Sequence, residues 1–114
     1  MLVTKNENIA YCDVDETLIK WCDWKETYKI QADYHGEKVF IKPHKKHIQF
    51  LKSLKARGFY IVVHSNNGWA WAEQIVKLLN LEAYVDEVKT KPSKVLDDSP
   101  YENWLPKIIY LDDK

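Results

Sequence analysis

Two carboxylates follow directly on a short apolar run near the start of the chain. Residues 9–12 predict a buried β-strand, and Asp13 and Asp15 come at its carboxyl end. Because side chains two residues apart on an extended chain point the same way, both carboxylates should face one pocket beyond the strand. Two like charges held close together are costly unless a cation or a shared proton relieves them. The pattern therefore indicates a Mg²⁺ site, although a turn with Asp15 or Thr17 as a helix N-cap would produce a similar sequence.

The composition is that of an ordinary globular domain. The chain has 114 residues, of which 46% are hydrophobic and 30% are charged. Seventeen basic and seventeen acidic residues cancel, so no overall field draws the protein to nucleic acid or to a membrane surface. The amino terminus is polar and the sequence contains no long apolar run, which predicts a cytoplasmic protein without membrane contact. The chain has two cysteines, Cys12 and Cys22, and we expect both to be reduced thiols.

Strand and helix signals alternate along most of the chain. Pro43 is expected to open a helix that Gly58 ends, followed by a strand at 59–63 and a second helix at 69–79. A short strand at 83–85 and a last strand at 107–111 follow. This order predicts a single α/β domain over residues 1–114, with a Rossmann-like three-layer fold and a small parallel sheet.

An insertion at about residues 26–42 interrupts that alternation. Residues 28–33 and 38–42 each alternate between apolar and polar, and the segment 34–37 between them contains a turn glycine. The pattern predicts a β-hairpin with a loop of about four residues. Such a hairpin either covers only its own apolar face or forms a flap over the carboxylate pocket.

Groups suited to binding phosphate follow the second strand. Ser65 and Asn66 come directly after it and offer a hydroxyl and backbone N–H groups to phosphate oxygens. Gly68 allows the chain to turn closely at this point. On its own this segment is also a good loop before a helix, so its context after the Asp13 strand carries the prediction.

A lysine near phosphate and carboxylate is expected in phosphoryl transfer, because the protein mainly positions groups and stabilises charge. Lys91 is the preferred candidate, since Pro92 restricts its backbone. Lys89 and Lys94 are close rivals, and each lysine could equally be a solvated loop residue.

Two acidic pairs compete for the remaining metal-binding role. Asp112 and Asp113 end an apolar run and so repeat the layout of the first strand. Asp97 and Asp98 precede Ser-Pro and are more typical of a turn. We prefer the Asp112–Asp113 pair as direct or water-mediated Mg²⁺ ligands, although acidic residues near a terminus are often only solvated.

In this order the segments resemble the four motifs of the haloacid dehalogenase-like phosphatases, over nearly the whole chain. The matching residues are Asp13-Val14-Asp15-Glu16-Thr17, Ser65-Asn66, Lys91-Pro92 and Asp112-Asp113. The resemblance implies that Asp13 attacks phosphorus to form an aspartyl-phosphate, that Asp15 protonates the leaving oxygen and then activates water, and that Thr17 is typical of phosphatases. It also implies that the Asp13 side chain, the Asp15 main-chain carbonyl and a carboxylate of the last pair hold Mg²⁺. With only a hairpin in place of a large cap, the chain resembles the small phage-type members.

We therefore expect a Mg²⁺-dependent phosphatase that hydrolyses a phosphomonoester. Analogy and the aromatic hairpin favour a nucleotide or a polynucleotide end as the substrate, while a sugar phosphate is chemically equally admissible. A non-catalytic module that binds phosphate and Mg²⁺, or a phosphotransferase with an acceptor other than water, would use the same residues. The presence of both Asp13 and Asp15 favours catalysis over binding alone. The sequence makes no prediction of the oligomeric state.

Overall fold

The computed structural model of the protein describes residues 8–98 and 108–111. In chain order its elements are β1 (Ile9–Asp13), β2 (Ile19–Cys22), β3 (Ile30–Tyr34), β4 (Glu37–Pro43), α1 (Lys45–Ala56), β5 (Tyr60–Ser65), α2 (Trp69–Leu78), a 3₁₀ turn (Glu82–Tyr84) and β6 (Glu87–Thr90). The predicted α/β class and the small parallel sheet are confirmed. In the part of the chain that the structure describes, no helix has the length and apolar character needed to span a bilayer.

A parallel sheet of three strands, in the order β1-β5-β6, carries the carboxylate segment. Asp13 is level with His64 of β5, and Ser65 is level with Thr90 of β6. All three strands therefore end at the same edge of the sheet. In parallel α/β sheets this is the edge where ligands bind.

The core is built from this sheet and the two helices, together with residues of β2, β3, β4 and the segment after β1. Ile61 and Val63 of β5 are buried in one cluster with Leu51 of α1 and Ile75 of α2. Leu51 and Ile75 come from helices whose apolar residues recur at helical spacing, so each helix buries one face. The cluster also includes Val14, Leu18, Ile19, Ala32, Ile41, Trp71, Ala72, Val76 and Leu81.

The predicted hairpin is present, but it belongs to a larger antiparallel sheet in the order β2-β4-β3. Its turn has two residues rather than four, because His35 and Gly36 both take positive φ, at 52° and 90°. Sequence analysis missed β2 (Ile19–Cys22). The sheet is fastened to α2 by Gln74, whose amide exchanges two hydrogen bonds of 2.8 Å with the backbone of Asp33.

Three predictions of elements were wrong. Pro43 does not open α1, because it is still paired with Ile19 at the end of β4, and the helix begins after His44. Residues 83–85 do not form a strand: Glu82–Tyr84 is a 3₁₀ turn, and the strand follows at β6. Of the predicted last strand, residues 108–111 are described and form no strand, although their apolar sequence fits one. Lys107 lies outside the described residues.

Asp86 ties the start of β6 to its neighbours. Its carboxylate accepts a hydrogen bond of 2.8 Å from the backbone N–H of Ile61 and lies 2.8 Å from Nζ of Lys55. The Ile61 N–H first, and the Lys55 ammonium second, lower the pKa of the Asp86 carboxyl from its usual value. A carboxyl group with a lowered pKa in the folded state stabilises the fold above its unfolded pKa, and this stabilisation is lost as pH falls through the folded value.

Replacement of this carboxylate should lower the free energy of unfolding. We expect Asp86→Asn to lower the free energy of unfolding by about 1 kcal/mol at pH 7, because charge-assisted hydrogen bonds are lost. The free energies of unfolding of variant and wild type should converge as pH falls below about 4, where the wild-type carboxylate becomes protonated. Urea unfolding at several pH values measures both. Glu73→Gln, which removes an exposed helical ion pair with Lys77, is the control and should cost only about 0.3 kcal/mol. A pH-independent cost for the Asp86 variant would contradict the electrostatic explanation.

Candidate active site

The segment after β1 is a tight turn held by its apolar residues. Val14 and Leu18 are fully buried, and the carbonyl of Val14 accepts hydrogen bonds from the N–H groups of Thr17 and Leu18, at 3.1 and 2.9 Å. Because these side chains point into the core, Asp13, Asp15 and Thr17 remain on the accessible side. The alternation of apolar and polar residues thus fixes which side chains reach the site.

Asp13 is partly exposed and has a partner on each carboxylate oxygen. Nζ of Lys91 lies 3.1 Å from Oδ1, and the hydroxyl of Thr17 donates to Oδ2 at 3.2 Å. The side chain of Asp13 is 33% exposed, so a ligand in solvent can reach it. The cation that relieves the charge of Asp13 in this structure is therefore the Lys91 ammonium.

Asp15 is surrounded by neutral donors. The indole N–H of Trp71 donates to Oδ1 at 2.9 Å, and the amide of Asn67 donates to Oδ2 at 2.6 Å. The hydroxyl of Ser65 is a longer third donor, 3.5 Å from Oδ2. These three donors fix the orientation of the Asp15 carboxylate. The two carboxylates thus have different partners: Asp13 forms an ion pair with a cation, and Asp15 accepts hydrogen bonds from neutral donors.

An aromatic cluster connects Asp15 to the antiparallel sheet. The indole of Trp71, buried beside Asp15, stacks on Trp21 of β2 with ring centroids 5.6 Å apart and planes 6° apart. Tyr34 of β3 meets the same indole edge-on at 5.0 Å, and its hydroxyl donates to Oδ1 of Asn67 at 2.8 Å. These contacts make the sheet a fixed wall beside Asp15.

The end of β5 and the loop that follows it place Ser65, Asn66 and Asn67 in different surroundings. Ser65 is fully buried, and its hydroxyl accepts from the N–H of Asn67 at 2.9 Å as well as donating to Asp15. Asn66 is exposed on the outer side of the loop. Gly68 then starts α2 with φ of 100° and ψ of 157°, a conformation that is essentially restricted to glycine. Ser65 therefore supports Asp15, while Asn66 is the member of the predicted pair that faces solvent.

Of the three candidate lysines, Lys91 is the one whose ammonium group contacts Asp13. Its backbone N–H also donates to the carbonyl of Ser65 at 3.0 Å, so the hydrogen bonding between β5 and β6 continues as far as Lys91. Lys89 instead lies over the ring of Tyr11, 5.9 Å from its centroid. Lys94 is exposed.

Two groups beside Asp13 have shifted proton affinities. Burial first, and the charge of Asp13 second, raise the pKa of the Cys12 thiol to about 12, so it stays protonated at neutral pH. Burial first, and then Lys91, lower the pKa of His64, an effect that Asp13 partly opposes. Nδ1 of His64 is buried without a hydrogen-bond partner in the described part of the chain. Because its pKa is lowered, His64 does not compete with Lys91 as a cation at neutral pH.

The structure tests the predicted metal ligands only in part. Across residues 8–98 and 108–111, no three acidic, histidine or cysteine side chains converge in a way that could hold a metal ion. Asp112 and Asp113 lie outside the described residues. Their rivals Asp97 and Asp98 are exposed. The described candidate donors are thus the carboxylate of Asp13 and the main-chain carbonyl of Asp15.

Sequence analysis missed three residues that contact or support Asp15. Asn67 was overlooked in favour of its neighbour Asn66, although the repeated amide was a visible signal. Trp71 was assigned to the apolar stripe of α2, and nothing in the helical spacing distinguishes an indole whose N–H donates to a carboxylate. Tyr34 lies 33 residues from Asn67 along the chain, so that only the folded structure reveals their contact.

Comparisons with known proteins give no relative from which a role could be transferred. Neither a protein-family model, nor a curated protein, nor a solved structure significantly matches this chain. The case for function therefore depends on the residues themselves.

Glu16 occupies a strained position in the turn, with φ of 61°. We expect Glu16→Gly to leave the free energy of unfolding unchanged or to raise it by up to about 1 kcal/mol, because glycine adopts positive φ without a Cβ clash. Glu16→Val should lower it by about 1 kcal/mol or more, since β-branched residues are poorly tolerated there. Urea unfolding of the variants measures this.

Glu16→Gln is the matched control for that pair. It removes the charge but keeps the side-chain oxygen that accepts from the N–H of Trp21 at 3.3 Å. Equal stabilities of the glycine and valine variants would contradict a left-handed conformation at this position.

Proposed function

We propose that this protein is a phosphatase that hydrolyses phosphomonoesters through an aspartyl-phosphate on Asp13, in the manner of the haloacid dehalogenase-like phosphatases that its motifs resemble. The observation that carries the proposal is the convergence of Thr17 and Lys91 on the carboxylate of Asp13. These residues come from two segments more than 70 positions apart along the chain. In this proposal the parallel sheet of β1, β5 and β6 belongs to a Rossmann-like fold.

The chemistry divides into two displacements. An oxygen of Asp13 attacks phosphorus, and the bond between phosphorus and the leaving oxygen breaks. Lys91 stabilises the charge on the phosphate oxygens, and Thr17 holds the Asp13 oxygen that does not attack. Water then attacks phosphorus, which restores the carboxylate and releases phosphate.

Asp15 is the acid and base of this scheme. It donates a proton to the leaving oxygen and then accepts one from the attacking water. Trp71 and Asn67 hold the Asp15 carboxylate in place for both proton transfers.

The donor chemistry fits Mg²⁺, which prefers oxygen ligands and is commonly held by one or two carboxylates together with substrate phosphate and water. The proposed ligands are the Asp13 carboxylate, the Asp15 carbonyl, and Asp112 or Asp113. When bound, Mg²⁺ would neutralise charge on the phosphate.

The antiparallel sheet and the loop between β2 and β3 support a nucleotide or a polynucleotide end as the substrate. Three aromatic side chains there are exposed: Trp21 by 37%, Trp24 by 66% and Tyr28 by 84%. Exposed aromatic rings stack on bases of any sequence. Turnover of sugar phosphates together with failure on all nucleotides and oligonucleotides would remove this assignment while leaving the chemistry intact.

The experiment that tests the proposal is phosphate release from an aryl phosphate with and without Mg²⁺. We expect Mg²⁺-dependent release by wild type and a loss of about 10⁴-fold or more in Asp13→Asn, because the nucleophile is removed with little change of shape. Asp23→Asn, which alters an exposed aspartate in the loop after β2, is the matched control and should retain activity. Equal release by wild type and Asp13→Asn would contradict the assignment.

Wild type that binds phosphate or Mg²⁺ but releases none from aryl phosphates, nucleotides or phosphorylated ends would support a binding module instead. Product analysis with added acceptor alcohols separates hydrolysis from phosphoryl transfer. Transfer to the acceptor in preference to water would identify a phosphotransferase.

A further inference from the structure

Two stacked imidazoles stand at the start of α1, directly behind the turn that carries the carboxylates. His44 and His47 have ring centroids 3.7 Å apart and planes 3° apart. His44 is buried, with only 6% of its surface exposed. Its Nδ1 accepts from the N–H of His47 at 3.4 Å, so His44 is the N-cap of the helix.

Both histidines also hold the backbone of the turn. The backbone N–H of His44 donates to the carbonyl of Leu18 at 2.9 Å. Nδ1 of His47 lies 2.7 Å from the carbonyl oxygen of Thr17. Because a carbonyl oxygen only accepts, this contact requires a hydrogen on Nδ1 of His47.

Two successive hydrogen bonds connect His47 through Thr17 to Asp13, the proposed nucleophile. His47 fixes the carbonyl of Thr17, and the hydroxyl of the same residue donates to Oδ2 of Asp13. A rotation of the Thr17 peptide would move that hydroxyl. His47 is thus connected to the Asp13 carboxylate through Thr17 without touching it.

Helix stability alone does not account for His47. It is the third residue of α1, where acidic side chains are favoured because they complement the positive end of the helix dipole. The first turn of α1 contains no acidic residue and carries Lys45 and Lys46 as well. The imidazole instead stacks on His44 and makes a hydrogen bond to the turn.

We propose that His47 is a positioning residue, which holds the Thr17 peptide so that the Thr17 hydroxyl orients the Asp13 carboxylate for attack. This inference goes beyond the motif residues and rests on the proposed function. The role is geometric, and His47 exchanges no proton with substrate.

The chain offers a matched pair of variants at this position. In His47→Asn the amide nitrogen is separated from the backbone by the same number of bonds as Nδ1, so it can donate to the Thr17 carbonyl. His47→Asp has the same shape but presents an acceptor to that carbonyl. Aspartate near a helix N-terminus also stabilises the helix, so the aspartate variant should unfold no more easily than the asparagine variant.

We expect kcat of His47→Asp to fall about tenfold or more with little change in KM, and His47→Asn to recover most of that loss. His47→Gln, whose donor lies one bond further out, should resemble the aspartate variant and provides a second test if aspartate prevents folding. Equal kcat for the asparagine variant and both others would overturn the proposal.

A spectroscopic measurement tests the hydrogen bond between His47 and the Thr17 carbonyl independently of turnover. Nitrogen–proton correlation spectra of the imidazole rings of wild type should show His47 with its hydrogen on Nδ1, protected from exchange and coupled to the Thr17 carbonyl. A His47 ring protonated only on Nε2 would overturn the proposal even in an active enzyme. If wild type showed the protected Nδ1 hydrogen but no phosphatase activity, the proposed function would fail while the contact to the turn stood.

Discussion

Two negative charges, one residue apart at the end of β1, are the constraint around which the described residues are arranged. Placed side by side without partners, they would oppose folding. In the structure each carboxylate has its own partners. Lys91, which follows β6, forms an ion pair with Asp13, and the neutral groups of Asn67 and Trp71 donate hydrogen bonds to Asp15. The ends of all three parallel strands are needed for this arrangement. The requirement for partners thus ties the site to the topology of the sheet.

The antiparallel sheet is part of the same arrangement. Trp21 and Tyr34 pack on the indole that donates to Asp15, and Gln74 fastens β3 to α2. A flap that opened freely would have to break these contacts together. The sheet therefore supports the indole that donates to Asp15, and Trp21 takes part in this packing while remaining 37% exposed.

The features that the sequence predicted well are those set by local pattern. The strand that ends at Asp13, the helix that begins at Trp69 and the hairpin each follow from the spacing of apolar residues or from a turn glycine. The errors arose where tertiary pairing overrides a local signal. Pro43 is a good first residue of a helix, yet strand pairing with Ile19 extends β4 through it.

The candidate site shows the same division. Asp13 was selected because it ends a strand, Thr17 because it fits the motif, and Lys91 because Pro92 follows it; the structure brings the three together. The partners of Asp15 could not be selected in this way. An indole on an apolar helix face and a tyrosine on an inserted hairpin gain their polar role only from packing between distant elements, which no periodicity encodes.

The central claim is that the carboxylate of Asp13 becomes phosphorylated. The most direct test is borohydride reduction of the Asp15→Asn variant, quenched with acid during turnover, followed by peptide mass spectrometry. Loss of the proposed base should let the intermediate accumulate, and reduction of an aspartyl-phosphate converts the residue to homoserine. The account predicts homoserine at position 13. Homoserine at another position, or a burst of leaving-group release with position 13 unmodified, would contradict it.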